Sequence, residues 1–411
     1  MSRPLLVVAG GGAAGFFCAV NAARLHPGRE VVLLEKSHKL LSKVKVSGGG
    51  RCNLTHDCAN ANEMSQAYPR GRHFVKKVLH RFFATDTVQW FTERGVAIKT
   101  EADGRMFPVS DSSASIMECL MQEANRFGIK IMMNAEVVKA VTDEKGWTIR
   151  LKDNRVLESE NFCIACGGYP RSDMFQWLRE TSHTIVEPVP SLFTFNIPQH
   201  PLKELMGISI PHARVKVAGT SLEEEGPVLI THWGLSGPAV LRLSARGARE
   251  LHEMKYNCRI LVNWLPEYNE QSLQDAFRLY RIQEAKQVMQ GRNPFDYPKR
   301  FWDQLLQMAG VKEGTRWADL TAVSQNKLVK SICAFEFAVN GKTTFKEEFV
   351  TAGGIDLAEV DPQTMMSKKH KGLFFAGEIL DVDGITGGYN FQFAWSSGWI
   401  AANSLVSPAA G

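Results

Sequence analysis

"LLVVAGGGAAGFFCAVNAARLHPGREVVLLEK", residues 5–36, reads as strand, glycine turn, helix and strand. Leu5 to Ala9 is a short apolar run of the kind buried on both faces of a parallel sheet. Gly10, Gly12 and Gly15 follow as G-x-G-x-x-G, and Ala13 and Ala14 open a helix carrying Phe16, Phe17, Val20 and Ala23. Pro27-Gly28 stops that helix. Val31 to Leu34 is the second strand, ended by Glu35. Each part has a chemical reason. Gly10 makes the tight turn, Gly12 lets the backbone approach a pyrophosphate, and Gly15 permits close helix–strand packing. The helix N-terminus offers unpaired N–H groups and a positive dipole end to phosphates. Glu35 can accept hydrogen bonds from ribose hydroxyls and repels a 2′-phosphate. A lone G-x-G-x-x-G is weak, but with all four parts in register it reads as a dinucleotide site.

The surrounding composition is that of an ordinary globular α/β protein. With 411 residues, two to three domains are expected. Hydrophobic residues make up 44% and charged residues 22%, which excludes disordered and collagen-like classes. The formal charge of +5 permits an anionic partner without requiring one. Eight cysteines are too sparse for a secreted disulfide framework and form no zinc pattern, so no metal is expected. Pro4 to Ala23 is uncharged and imitates a signal peptide, but its four glycines interrupt an apolar helix. The expectation is a cytoplasmic protein without a membrane span. Oligomeric state is not legible.

Two further segments decide which dinucleotide. "KVKVSGGGRCNLTH", residues 43–56, places Ser47, Gly48, Gly49, Gly50 and Arg51 just beyond the second strand. It is either a second backbone wall for a pyrophosphate or a glycine-rich surface loop. Near the C-terminus, "GLFFAGEILDVDGITGGYNFQFAWSSG" reads as a strand from Leu373 to Ala376, a turn at Gly377-Glu378, and a helix from Tyr389. Both ends of the chain then build one nucleotide site, an arrangement found in FAD enzymes of the two-dinucleotide-fold type.

At these residues a resemblance becomes specific. "GGGAAG", "SGGGRCNLT", "THWGLSGPAVLRLS", "TAGGIDLAEVDPQTM" and "FAGEILDVDGITGGYNFQFAWSSG" resemble one family of bacterial flavoproteins along essentially the whole chain. Its members are described variously as aminoacetone oxidases, bile-acid reductases and ribosomal-RNA dihydrouridine synthases. The resemblance implies an α/β, Rossmann-like FAD domain interrupted by an inserted β-barrel and a small helical subdomain. Its FAD-side motifs fall on Gly10, Gly12, Gly15, Glu35, Lys43, Gly49, Arg51, Cys52 and Asn53, and on Gly377, Glu378, Asp381, Gly388, Tyr389, Asn390 and Phe391. Ala13, Ala14, Lys36, Ser47, Gly48, Gly50 and Gly167 complete the expected cofactor set. One departure stands out. After "CIACGGYP" the family's glycine-rich turn is missing, and "RSDMFQWLRETSHTI" follows directly.

The expected boundaries are 1–190 and 353–411 for the FAD domain, 191–270 for the β-rich insertion and 271–340 for the helical subdomain. Residues 341–352 are expected to return to the barrel. "FTFNIP", "ARVKVAG", "PVLITH" and "RILVNWLP" are short alternating runs suited to strands. Trp302, Leu305, Leu306 and Met308 have helical spacing and read as core. "EFAVNG" and "KEEFVTAGG" resemble strands going back to the barrel. Ser236 is placed to cap a helix with Pro238 in its first turn. His232, just before it, is either a packing residue or a substrate-side group.

Candidate chemistry centres on Cys52. Arg51 beside it would favour the thiolate, so Cys52 is a candidate proton donor, with loop packing as the alternative. Cys52 and Cys58 are spaced C-x5-C, which does not match the C-x4-C of flavin disulfide reductases, and no second nicotinamide fingerprint is present. Cys163 and Cys166 read as structural. From Met64 to Thr85 there is no acidic residue, while Arg70, Arg72, Lys76, Lys77 and Arg81 appear. That segment is either a solvated amphipathic helix or a phosphate-binding ridge for RNA. The expected function is an FAD-dependent oxidoreductase passing hydride from NAD(P)H or another donor to a polarised double bond. Uridine in 23S ribosomal RNA is the leading substrate. The alternatives are a small-molecule amine oxidase or enoyl-type reductase, or a non-catalytic flavin-binding RNA assembly factor.

Overall fold

The apolar run after Pro4 becomes β1 (Leu6–Ala9), the central strand of a five-stranded parallel sheet. In chain order its strands are β1, β2 (Val31–Leu34), β3 (Lys130–Met132), β4 (Asn161–Ile164) and β5 (Leu373–Phe375). Across the sheet they lie β5-β4-β1-β2-β3. All residues of β1, β2 and β4 are buried, as expected where both faces of a parallel sheet are covered. The computed structural model describes residues 3–343 and 350–406.

Helix α1 (Ala13–Leu25) follows the glycine turn and packs against the C-terminal helix Tyr389–Asn403. Their approach is close because Gly398 has no Cβ; one would lie 2.6 Å from Ala14 O. Phe17 fills the space behind, with Trp90 and Trp395 rings 4.6 and 5.3 Å away. These contacts tie the last helix of the chain to the first, which brings both ends of the sequence to the edge of one sheet.

The described residues form two compact units, one running to Ser191 and resuming at Val350, the other spanning Leu192 to Thr343. In the second unit a seven-stranded antiparallel sheet runs Phe335–Asn340, Asn257–Asn263, Ser209–Val217, Glu223–Ile230, Gly234–Ser236, Thr194–Asn196 and Lys342–Thr343. Its two edge strands are neighbours in sequence, and no ladder among the described residues joins them. Helices Glu270–Gln283, Lys299–Met308 and Ala322–Cys333 follow the strand Asn257–Asn263. Trp302, Leu305 and Leu306 are core, whereas Met308 is partly exposed.

The return from the insertion differs from expectation. Phe335–Asn340, within "EFAVNG", does rejoin the seven-stranded sheet. "KEEFVTAGG" does not. Residues 346–349 lie outside the described residues, and Val350–Ile355 pairs antiparallel with Ile185–Ser191 in the first unit. The alternating pattern identifies a strand without naming its partner.

His183 is a buried pin in the first unit. Its Nδ1 lies 2.8 Å from Thr181 Oγ1 and its Nε2 2.8 Å from Ser367 Oγ. Burial holds the ring neutral and lowers its pKa to about 4. Because that value lies below the unfolded one of about 6.5, the stabilisation is complete above pH 6.5 and lost as pH falls toward 4. The loss should be on the order of 2–3 kcal/mol. Urea unfolding at pH 7 and 4.5 should show this extra drop in the wild type and not in His183→Gln.

Candidate functional site

The first βαβ unit forms a cradle. Gly10 has φ +119°, and a Cβ there would lie 2.2 Å from Ala165 O. At Gly15 a Cβ would lie 1.8 Å from Gly10 O, so helix and turn touch through bare backbone. Gly12 is the N-cap of α1 and has nothing within 4 Å of a Cβ position. The one glycine expected to face a pyrophosphate is the one with open space. Glu35 is fixed at the end of β2, where Oε2 accepts from Gly11 N–H at 3.0 Å and Oε1 from Ser37 N–H at 2.8 Å. Each oxygen keeps acceptor capacity for a hydroxyl.

A second wall comes from the helix Ser42–Gly50, which breaks at Ser47. Gly48, Gly49 and Gly50 then take φ of +59°, +70° and +85° in succession. Only glycine adopts such a run at no steric cost. Gly49 and Gly50 again have no neighbour within 4 Å of a Cβ position. Runs of N–H groups in such turns form anion-binding concavities.

The C-terminal segment completes the site. Lys43 Nζ lies 2.6 Å from Glu378 Oε2, joining residues 335 apart. Glu378 Oε1 accepts from Thr351 N–H at 2.9 Å. Lys43 is largely exposed, so this pair positions chain segments and contributes little stability. Gly388, φ +94°, caps the C-terminal helix, and a Cβ there would lie 2.5 Å from Thr55 O. The loop before it is braced by Asn390, whose amide exchanges bonds with Gly384 N–H and C=O at 2.8 and 2.9 Å. His56 Nδ1 sits 2.9 Å from Gly387 O, and its ring stacks on Tyr389 at 4.7 Å.

Of the expected cofactor residues, Gly10, Gly12, Ala13, Glu35, Lys36, Lys43, Ser47 to Arg51, Gly167, Glu378, Asp381, Gly388, Asn390 and Phe391 keep exposed surface. Ala14, Gly15, Cys52, Asn53, Gly377 and Tyr389 are buried and shape the cradle from behind. The residues therefore fit a dinucleotide with two phosphates and a ribose at Glu35. A cleft beside Glu35 adds Val137, Cys166, Tyr169 and Trp177, which no local motif marked. Among the described residues no group of His, Cys, Asp or Glu side chains is placed to hold a metal.

Cys52 requires a correction. Its side chain is fully buried in the hydrophobic core and its φ is +61°. Burial pushes the thiol up to about 12, the reverse of the expected thiolate. Arg51 points elsewhere, pairing with Glu101 at 2.6 Å and lying 4.0 Å from the Phe107 ring centroid. Cys52 packs the loop and reaches no reactant. It should resist iodoacetamide in the native protein at pH 8 and become alkylated only on unfolding, as read by peptide mass mapping.

The basic segment also sorts itself. Arg70 is not a surface ligand, because its guanidinium forms a two-point pair with the fully buried Asp383. Lys76 Nζ donates to Asn62 Oδ1 at 3.0 Å. On the helix Arg72–Leu79 and just beyond it, Arg72, His73, Lys77, His80 and Arg81 are exposed, while Phe74, Val75, Val78 and Leu79 are buried. No carboxylate among the described residues pairs with Arg72, Lys77 or Arg81. In the second unit His232 is exposed, its ring edge-on to Trp233 at 4.4 Å. Ser236 is not the helix cap; it lies on a strand, and Gly237, φ +97°, caps the helix Pro238–Arg246.

A family model described as "HI0933-like protein Rossmann domain" matches residues 4–404. The chain belongs to the HI0933-like family. Its Rossmann-like fold is the FAD-binding kind, with the cradle at the carboxyl ends of β1 and β2. Among curated relatives, a 3-dehydro-bile acid delta(4,6)-reductase of Clostridium scindens is 29% identical, covering 97% of this chain and 98% of that protein. A ribosomal RNA dihydrouridine synthase of Haemophilus influenzae is 30% identical, covering 97% and 98%. Among solved structures, a 3-ketosteroid-delta4-(5alpha)-dehydrogenase from Rhodococcus jostii RHA1 has a TM-score of 0.52 at 14% identity, covering 98% of this chain and all of that one. At that identity the likeness concerns fold alone. No helix among the described residues of this HI0933-like protein is long and apolar enough to cross a membrane.

Proposed function

We propose that this HI0933-like protein is an FAD-dependent oxidoreductase that saturates the C5–C6 bond of a uridine in ribosomal RNA. The observation carrying the reading is one compact unit that holds both a dinucleotide cradle and an unpaired basic helix face. Bound FAD would take up hydride from a donor such as NAD(P)H and supply it to the substrate double bond. Gly12, Gly49 and Gly50 offer backbone to the pyrophosphate, and Glu35 holds the ribose. Glu378 and Lys43 lock the N-terminal and C-terminal halves of the cradle together. Arg72, Lys77 and Arg81 offer charge to RNA phosphates without an internal competitor.

Each phosphate contact releases condensed counterions, with a log–log salt slope of about −0.7 per contact for single strands. Replacing Arg72, Lys77 and Arg81 together should make the slope shallower by roughly two units. The check is RNA binding across a salt series, with dihydrouridine formation measured on protein-free ribosomal RNA. Binding indifferent to salt, or unchanged in the triple variant, would remove the ridge from the reading.

A second reading has its own support. The bile-acid reductase relative covers nearly the full chain at 29% identity, which favours a small enone as substrate. Rapid NAD(P)H oxidation driven by an enone, and indifferent to RNA, would select it. RNA binding without any donor oxidation would instead mark a non-catalytic RNA assembly factor.

A further inference from the structure

The cleft beside Glu35 is walled by the segment in which the sequence departs from the resembling family. Where a glycine-rich turn is expected after Pro170, the chain makes a short 3-10 turn, Ser172–Phe175, and one helical turn, Gln176–Arg179. This puts Tyr169 and Trp177 into the cleft lining, together with Lys36, Val137 and Cys166. The segment is braced from outside: Arg179 donates to Ser172 O at 2.8 Å and to Glu187 Oε1 at 2.9 Å. Tyr169 is held edge-on against Phe175 at 4.9 Å, with Lys36 Nζ 5.3 Å from its ring centroid.

The cleft shares Gly10 and Glu35 with the ribose-binding turn. A group attached to that ribose, away from the phosphates, therefore has this cleft beside it. Two aromatic rings and an aliphatic side chain suit a flat heteroaromatic base, which gains from stacking and from apolar burial. We infer that Tyr169 and Trp177 form an adenine wall, built by the shortened segment, that makes the protein select FAD over FMN. The inference rests on the FAD reading above and names which residues recognise the adenylate half.

The test uses deflavinated full-length protein titrated with FAD, FMN and ADP, followed by flavin fluorescence and tryptophan emission. Tyr169→Ala should weaken FAD by about 10–100-fold, the span of a lost stacking contact, and leave FMN affinity unchanged. Tyr169→Phe keeps the ring and should restore FAD binding to near wild type. ADP should compete with FAD and quench emission in the wild type, and the quench should disappear in the conservative Trp177→Phe, which guards against a Tyr169→Ala protein that does not fold. Equal weakening of FAD and FMN, or a quench that survives in Trp177→Phe, would overturn the wall. Wild-type protein that binds neither flavin would overturn the FAD reading itself, and the wall with it.

Discussion

Gly12→Val should give a folded, colourless protein. The backbone at Gly12 has φ −96°, which any residue adopts, and no atom lies within 4 Å of a Cβ position. The valine side chain therefore enters only the space reserved for the pyrophosphate. Crowding a close contact costs about 1–3 kcal/mol or more, so FAD affinity should fall about 100-fold or further. Gly15→Val is the contrasting variant. Its Cβ would lie 1.8 Å from Gly10 O, and it should fail to fold at all. Flavin content after purification, with circular dichroism for folding, separates the two. Full flavin retention by Gly12→Val would sink the cradle.

Arg70→Met should cost about 3–5 kcal/mol of stability, the usual penalty for stranding a buried charge. Asp383 is fully buried and would keep only the Ser191 hydroxyl, which donates to it at 2.6 Å. Replacing the pair together, as Arg70→Met with Asp383→Leu, should recover much of the loss, because no charge is then left alone. Denaturant unfolding measures both. A loss under about 1 kcal/mol in the single variant would contradict the buried pair. The salt slope of RNA binding should be unchanged in Arg70→Met, which separates this residue from Arg72, Lys77 and Arg81.

The parts legible in the sequence were those that local chemistry dictates. β1, the glycine turn, α1, β2 and Glu35 lie within thirty-odd residues, and each rule for them is local. The Leu373 strand and the Tyr389 helix were legible for the same reason. What the sequence concealed depends on distant partners. Arg70 looked like a surface cation because Asp383 stands 313 residues away. Cys52 looked activated because Arg51 adjoins it, but the left-handed run through Gly48, Gly49 and Gly50 turns the thiol inward and leaves Arg51 to Glu101. Gly237 displaced Ser236 as a cap because its Cβ position lies 2.7 Å from Pro227 O, a contact from the neighbouring strand. Tyr169 and Trp177 carry no motif. Their role follows from where a shortened segment folds.

The Lys43–Glu378 pair also bears on how the protein is made. Translation runs at about 5–20 residues per second. The 335 residues between the partners thus take roughly 20–70 s to appear. Throughout that interval the ribosome holds a nascent chain with the Gly10 turn and the Gly48–Gly50 wall but no β5 and no C-terminal helix. The outer edge of β4 then has no strand beside it, a liability that exposed edges carry. Flavin capture must wait for the last segment to emerge, so the yellow colour marks a completed polypeptide, and a chain stalled before Glu378 meets chaperones and proteases without its cofactor.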